Sequence, residues 1–304
     1  MKILIVGAGG VGGYFGAKLM QAGADITFLL RDKRHKLISE NGLTIENDGG
    51  SFTIHPKSLT ADQLTPDYDL IMLAPKSYDL RDSLNSLEKA SGKGLFLPFL
   101  NGYNHLEFLD GRYGKDRVMG GVAHIAAMIT ETGAVKRLGD LGGLIVGHRT
   151  TAQEATAREF AALCEKADFN FTYSEDIEQS LWEKWVMLAT LAAMTTLCLG
   201  SIGEIVATRY GAEMSRRTHA EACAIAAANS HPIPEKVQAG QLAMLTKEGS
   251  IFTASMMRDL VGGLRTEHEH ILGDLIEKGA PENIDCPLLK IAYTHMAVVQ
   301  GRGD

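Results

Sequence analysis

Lys2-Ile3-Leu4-Ile5-Val6-Gly7-Ala8-Gly9-Gly10-Val11-Gly12 opens the chain, and its reading decides the fold. Residues 2–6 form an apolar run of strand length. They are rich in branched aliphatics and do not alternate, as a strand buried on both faces requires. Gly7, Gly9 and Gly12 then match G-x-G-x-x-G. Gly7 permits a tight turn, Gly9 leaves room for a pyrophosphate beside the backbone, and Gly12 lets a helix pack closely on the strand. The helix start offers free N–H groups and a positive dipole end to the phosphates. With 33 glycines in 304 residues the spacing alone is weak. The context strengthens it: Tyr14-Phe15-Gly16-Ala17-Lys18-Leu19-Met20 reads as the following helix, and Asp25-Ile26-Thr27-Phe28-Leu29-Leu30 as the second strand. Gly7, Ala8, Gly9, Gly10, Val11 and Gly12 are therefore the candidate cofactor-binding residues.

The second strand ends Leu29-Leu30-Arg31-Asp32-Lys33-Arg34. An acid at this point usually accepts from the ribose hydroxyls of NAD. Arg31 stands there instead, and Lys33 and Arg34 add positive charge. A guanidinium can pair with a 2′-phosphate and stack on adenine, so the expected cofactor is NADPH/NADP+.

Working outward, residues 33–40 read as a helix, and Leu43-Thr44-Ile45-Glu46 with Ser51-Phe52-Thr53-Ile54-His55 as a hairpin. Strands follow at 69–74 and 94–100, with helices at 78–89 and 104–109. The first of these strands runs into Pro75-Lys76-Ser77, the second into Asn101-Gly102. Such alternation means a doubly wound parallel sheet of Rossmann type, with ligands beyond the carboxyl ends of the strands. Lys76 and Asn101 occupy two of those ends. Segments 118–128, 134–138 and 144–147 read as strands of an antiparallel extension of the sheet, followed by a helix at 151–166 and a strand at 170–173. Everything after Glu175 reads as helix: 177–199, 201–208, 211–229, 234–245, 258–278 with a break at Gly262-Gly263, and 286–299. The expectation is an α/β dinucleotide-binding domain over 1–174 and an all-α substrate domain over 175–304.

Bulk properties narrow the function. The chain has room for two domains and a hydrophobic share of 45%. Its formal charge of -7 argues against nucleic-acid binding. The apolar stretch from Trp185 to Ile202 is broken by Thr190, Thr195, Thr196, Gly200 and Ser201, so a buried helix is expected and no membrane span. Met1-Lys2 runs straight into a strand, so no signal peptide is expected. Cys164, Cys198, Cys223 and Cys286 form no C-x-x-C and read as free thiols of a cytoplasmic protein. In Glu267-His268-Glu269-His270 only Glu267 and His270 share a helix face, so no metal is expected. His124 reads as a sheet residue, and the terminal Arg302-Gly303-Asp304 as a frayed tail.

The chain resembles the ketopantoate reductase (2-dehydropantoate 2-reductase) family. The glycine loop, the Arg31 strand end, Pro75-Lys76-Ser77 and Leu100-Asn101-Gly102 recur there in this order. Leu181-Trp182-Glu183-Lys184 looks like the family's tryptophan-x-lysine helix. Thr253-Ala254-Ser255-Met256-Met257-Arg258-Asp259-Leu260 and Thr266-Glu267-His268-Glu269-His270-Ile271-Leu272-Gly273 look like its serine-methionine and threonine-glutamate segments. The resemblance implies reduction of a 2-oxo acid, ketopantoate to pantoate in pantothenate biosynthesis, by hydride transfer from NADPH. It implies Lys184 as general acid and Glu267 as the acid that orients it. Asn101 would touch both cofactor and substrate, Ser255 the substrate carboxylate, and Lys76 would lie near cofactor and substrate. Homodimer formation is a further expectation from fold and family.

The chain departs from that pattern. Asparagines that the family carries one and two turns after the lysine, and three residues before the serine, are Leu188, Ala192 and Phe252 here. A site that loses hydroxyl-bonding partners loses discrimination for a hydroxylated substrate. Two alternatives follow. One is a reductase of a less polar 2-oxo acid, or a 3-hydroxy acid dehydrogenase. The other is a catalytically silent NADP(H)-binding protein, against which the retention of Lys184 and Glu267 argues.

Overall fold

The computed structural model describes residues 1–87 and 92–301. The end of the helix expected over 78–89 and the Arg302-Gly303-Asp304 tail lie outside the described residues. The chain divides into two compact units, one of residues 1–100 and 105–180, the other of residues 101–104 and 181–304.

In the first unit β1 (Lys2–Val6) leads into α1 (Gly10–Gln21), β2 (Asp25–Leu29) and α2 (Asp32–Asn41). A hairpin of β3 (Leu43–Asn47) and β4 (Gly50–Ile54) follows, then β5 (Lys57–Leu59), β6 (Leu70–Leu73), α3 (Leu80–Ser86) and β7 (Leu95–Pro98). The remaining elements are α4 (Asn104–Tyr113), β8 (Gly120–Ile129), β9 (Val135–Gly147), α5 (Glu154–Cys164) and β10 (Asn170–Tyr173). A five-stranded all-parallel sheet has the order β5-β2-β1-β6-β7, with Ile3 opposite both Ile26 and Leu70. Ile3, Ile5, Leu70, Met72 and Leu97 join one core with Tyr14, Phe15 and Leu19 of α1. Leu4, Val6, Ile71, Leu73 and Phe96, at the alternate positions, are equally buried but outside that core. Both parities are covered, which is why these strands show no alternation in sequence.

The antiparallel strands do not extend this sheet as expected. They form a second sheet, β10-β9-β3-β4, with β8 antiparallel to β9 and a lone bridge from Phe96 to Val118 linking β7 to the start of β8. The hairpin joins this second sheet because β3 pairs in parallel with β9. Segments 134–138 and 144–147, read as two strands, are one strand of 13 residues. Helix α1 lies between the sheets. A Cβ at Gly16 would press on Phe28 and Ile5 of the first sheet, and one at Gly13 on Val135 of the second. The sequence shows these glycines, but the second contact surface is assembled only from distant strands.

The second unit is helical. Helix α6 (Ile177–Cys198) begins in the first unit, where Arg149 holds Glu178 at 3.0 Å, and continues into the second. Then come α7 (Ile202–Val206), α8 (Gly211–Ala228), α9 (Glu235–Leu245), α10 (Ser255–Val261), α11 (Asp274–Gly279) and α12 (Pro287–Gln300). The helix expected over 258–278 is not one helix. Residues 264–267 are non-helical, and a π-helical turn, Glu269–Gly273, runs into α11. Among the described residues no helix is long and apolar enough to cross a membrane. In α6 the hydroxyls of Thr190, Thr195 and Thr196 donate to the carbonyls of Val186, Leu191 and Ala192, satisfying buried polar groups within the helix.

Candidate functional site

The glycine loop of the first unit has a shape its sequence explains. Gly7 takes φ +93°, a conformation that strains any other residue. A Cβ at Gly12 would collide with the Gly7 carbonyl oxygen, so only glycine lets α1 start this close to β1. A Cβ at Gly9 would meet no protein atom within 4 Å. That open space borders the N-terminus of α1, which has no side-chain cap and no acidic residue in its first turn. Uncapped N–H groups, the positive end of a 12-residue helix and the space beside Gly9 fit a pyrophosphate.

The strand order puts the loops after β2, β1 and β6 side by side at the carboxyl end of the sheet. Arg31, after β2, is 74% exposed and pairs with Asp79 at 2.9 Å, bridging to the turn that follows Lys76. Lys76 stands at the N-cap of that turn. Arg34 is placed differently from expectation. It does not add to an exposed cationic run but donates to the carbonyls of Ala8 at 2.8 Å and Gly133 at 2.5 Å.

The second unit gathers Lys184, Asn101 and Glu267. Lys184 lies on α6 and donates to Oδ1 of Asn101 at 3.0 Å. Burial pushes its pKa down to about 8, while the nearby Glu267 carboxylate opposes the fall. Glu267 is 5% exposed and directly precedes the helical stretch that begins at His268. Residues 101–104 follow β7 and pack with the helical unit. Gly102 makes this possible: it takes φ +80°, and a Cβ there would lie 2.7 Å from the His270 carbonyl oxygen. The Asn-Gly pair is thus a tight turn as well as the carrier of Asn101.

Ser255 is the first residue of α10. The Ala254 N–H before it donates to Thr195 Oγ1 at 3.4 Å, which ties this strap to α6 about three turns beyond Lys184. On the same stripe of α6 lie half-buried Leu188 and buried Ala192. Phe252, in the strap, is half-buried.

Several supporting residues carry no local signal. Tyr103 stacks on Trp185 and lies 5.4 Å from Trp182, which itself stacks on His231. Trp185 donates from Nε1 to the Ile271 carbonyl at 2.9 Å, joining α6 to the π-helical turn behind Glu267. Gln300 of α12 accepts from the Thr266 N–H at 2.9 Å. The apolar pattern could find the tryptophans, but only the tertiary fold pairs them with Tyr103 and His231. His270 bonds Asp274 at 2.7 Å, and the described residues hold no group of three metal-ligating side chains.

Residues 3–150 match the family model described as Ketopantoate reductase PanE/ApbA, and residues 176–300 match its C-terminal model. The chain belongs to the ketopantoate reductase family. It is 30% identical over 305 residues to the uncharacterized oxidoreductase YkpB of Bacillus subtilis, with 99% of each chain covered. Its fold superposes on 2-dehydropantoate 2-reductase from Geobacter metallireducens at TM-score 0.89 and 27% identity, covering 98% of this chain and 99% of that one. D-mandelate dehydrogenase, solved with NADH and anilino(oxo)acetate, superposes at TM-score 0.89 with 22% identity, covering 100% and 99%. Membership in this family makes the protein an oxidoreductase.

Proposed function

We propose that this ketopantoate reductase family member reduces a 2-oxo acid with NADPH, 2-dehydropantoate to pantoate being the leading reaction. The carrying observation is Lys184: a half-buried lysine whose pKa desolvation lowers to about 8, bonded to Asn101 and beside Glu267. A bound NADPH supplies the hydride that forms the new C–H bond at the keto carbon. Lys184 gives its proton to the carbonyl oxygen, so the product leaves as the hydroxy acid and the lysine as the neutral amine. Glu267 keeps the lysine protonated near neutral pH and orients it. Asn101 holds the ammonium and bonds the substrate oxygen, and Ser255 bonds the substrate carboxylate. Lys76 and the glycine loop contribute to cofactor binding.

Arg31 supports NADPH over NADH, because its exposed guanidinium ends β2 where an acid would select against a 2′-phosphate. Arg31→Ala should raise the Michaelis constant for NADPH about tenfold, the loss of one charge-assisted phosphate contact, and leave that for NADH unchanged. Equal or better use of NADH by the unaltered protein would overturn the cofactor assignment.

Leu188, Ala192 and Phe252 favour a second reading, a less polar 2-oxo acid as substrate. They put apolar atoms on the stripe beyond Lys184 and on the strap before Ser255. A panel of 2-oxo acids with aliphatic, aromatic and hydroxylated side chains separates the two, with nicotinamide absorbance as readout. Turnover of ketopantoate above the rest supports the first reading. Turnover of only the apolar acids supports the second. Tight NADPH binding with no turnover of any acid rejects both.

A further inference from the structure

We propose that Arg34 is a positioning residue for dinucleotide binding, acting through the Ala8 carbonyl and indifferent to the 2′-phosphate. The inference rests on the dinucleotide reading of the glycine loop. Arg34 lies in the first turn of α2 and forks between two carbonyls, Nη2 to Ala8 at 2.8 Å and Nη1 to Gly133 at 2.5 Å. Its buried Nε finds no hydrogen-bond partner among the described residues. This half-buried guanidinium commits both Nη groups to backbone carbonyls and differs from the exposed Arg31 three residues earlier.

The lever is the rigidity of the peptide unit. The Ala8 carbonyl and the Gly9 N–H belong to one planar trans peptide and point in opposite directions. Holding the carbonyl toward Arg34 therefore turns the Gly9 N–H to the opposite side. A bond from an ionised donor is about twice as strong as a neutral one, which suits a brace on a loop rich in glycine.

The far end of the brace is also fixed. Gly133 sits in the tight turn between β8 and β9, closed by Gly133 N–H to the Thr130 carbonyl at 2.9 Å. The same two strands press on the start of α1. A Cβ at Gly10 would lie 3.2 Å from that of Ala127, and one at Gly13 would lie 2.9 Å from Val135. The second sheet and Arg34 thus hold the loop from outside, while β1 holds it from within.

The pyrophosphate is common to both cofactors, so a loop-positioning role predicts equal losses for both. Arg34→Ala, Arg34→Lys and the unaltered protein are titrated with NADPH and with NADH, following nicotinamide fluorescence, and melted without ligand. Arg34→Ala should weaken both cofactors about tenfold and leave their affinity ratio unchanged, the size expected for losing a hydrogen bond to a charged group. Arg34→Lys keeps the charge without the fork and should move both in the same direction. A loss confined to NADPH would make Arg34 a phosphate ligand and overturn the proposal. So would a lower Tm with both dissociation constants unchanged, which is a purely structural role. If Arg34→Ala does not fold, the same ratio in Arg34→Lys decides. Failure of the unaltered protein to bind either dinucleotide would instead remove the underlying reading.

Discussion

Lys184→Ala should lower kcat for keto-acid reduction by about two to four orders of magnitude, the usual contribution of a general acid. NADPH affinity should change little, since the proposed pyrophosphate seat is the glycine loop and not Lys184. The hydride acceptor develops negative charge on oxygen, and an unprotonated alkoxide is a poor product in a water-poor site. The pH profile gives an independent check. If the ammonium is the donor, as proposed, its pKa sets the profile, and burial lowers that pKa to about 8. Reduction should therefore be fast below that value and fall as pH rises through it, while the reverse oxidation, which needs the neutral amine, should rise. Glu267 raises the Lys184 pKa, so Glu267→Gln should move the alkaline fall to lower pH. A loss below about tenfold in Lys184→Ala would mean that another group supplies the proton.

The second large effect belongs to Gly12→Ala, which should reduce NADPH affinity about a hundredfold and lower the Tm. A methyl group there meets the Gly7 carbonyl oxygen, Ile5 Cγ2 at 3.1 Å and the Ala74 Cβ at 3.2 Å. Two of these are backbone or short rigid groups, so the turn itself must move. Overpacking of this kind costs about 1–3 kcal/mol and occasionally more, and about 1.4 kcal/mol is tenfold in affinity. Gly9→Ala makes the contrast. Its methyl meets no protein atom, so the Tm should hold while cofactor binding falls. Paired melting curves and fluorescence titrations check both. Normal NADPH affinity in Gly9→Ala would show that the open space beside Gly9 is not the phosphate seat.

Local signals in the chain determine the opening of the first unit. The apolar strand Ile3-Leu4-Ile5-Val6, the glycine spacing and the second strand specify a βαβ unit, because turn sterics and burial on both faces act within about thirty residues. The hairpin 43–54 and the helical second half are legible for the same reason: side-chain periodicity reports the local element directly. The resemblance on which Lys184, Glu267, Asn101 and Ser255 were selected is a pattern of spaced residues, and it too is written in the chain.

What the tertiary structure decided is everything that depends on residues far apart in sequence. Alternation in β3 says that one face is buried, not which sheet buries it. The placement of α1 between two sheets follows from Gly13 and Gly16 meeting Val135 and Phe28. The extra residue of a π-helical turn at 269–273 has no periodic signature, and packing against α6 through Trp185 accompanies it. Arg31 and Arg34 look alike in sequence. Their difference, one exposed against Asp79 and one forked between the Ala8 and Gly133 carbonyls, is set by which surfaces the fold brings to each. The proton affinity of Lys184 is decided in the same way, because burial and a carboxylate 83 positions away are properties of the folded chain and not of its neighbours on α6.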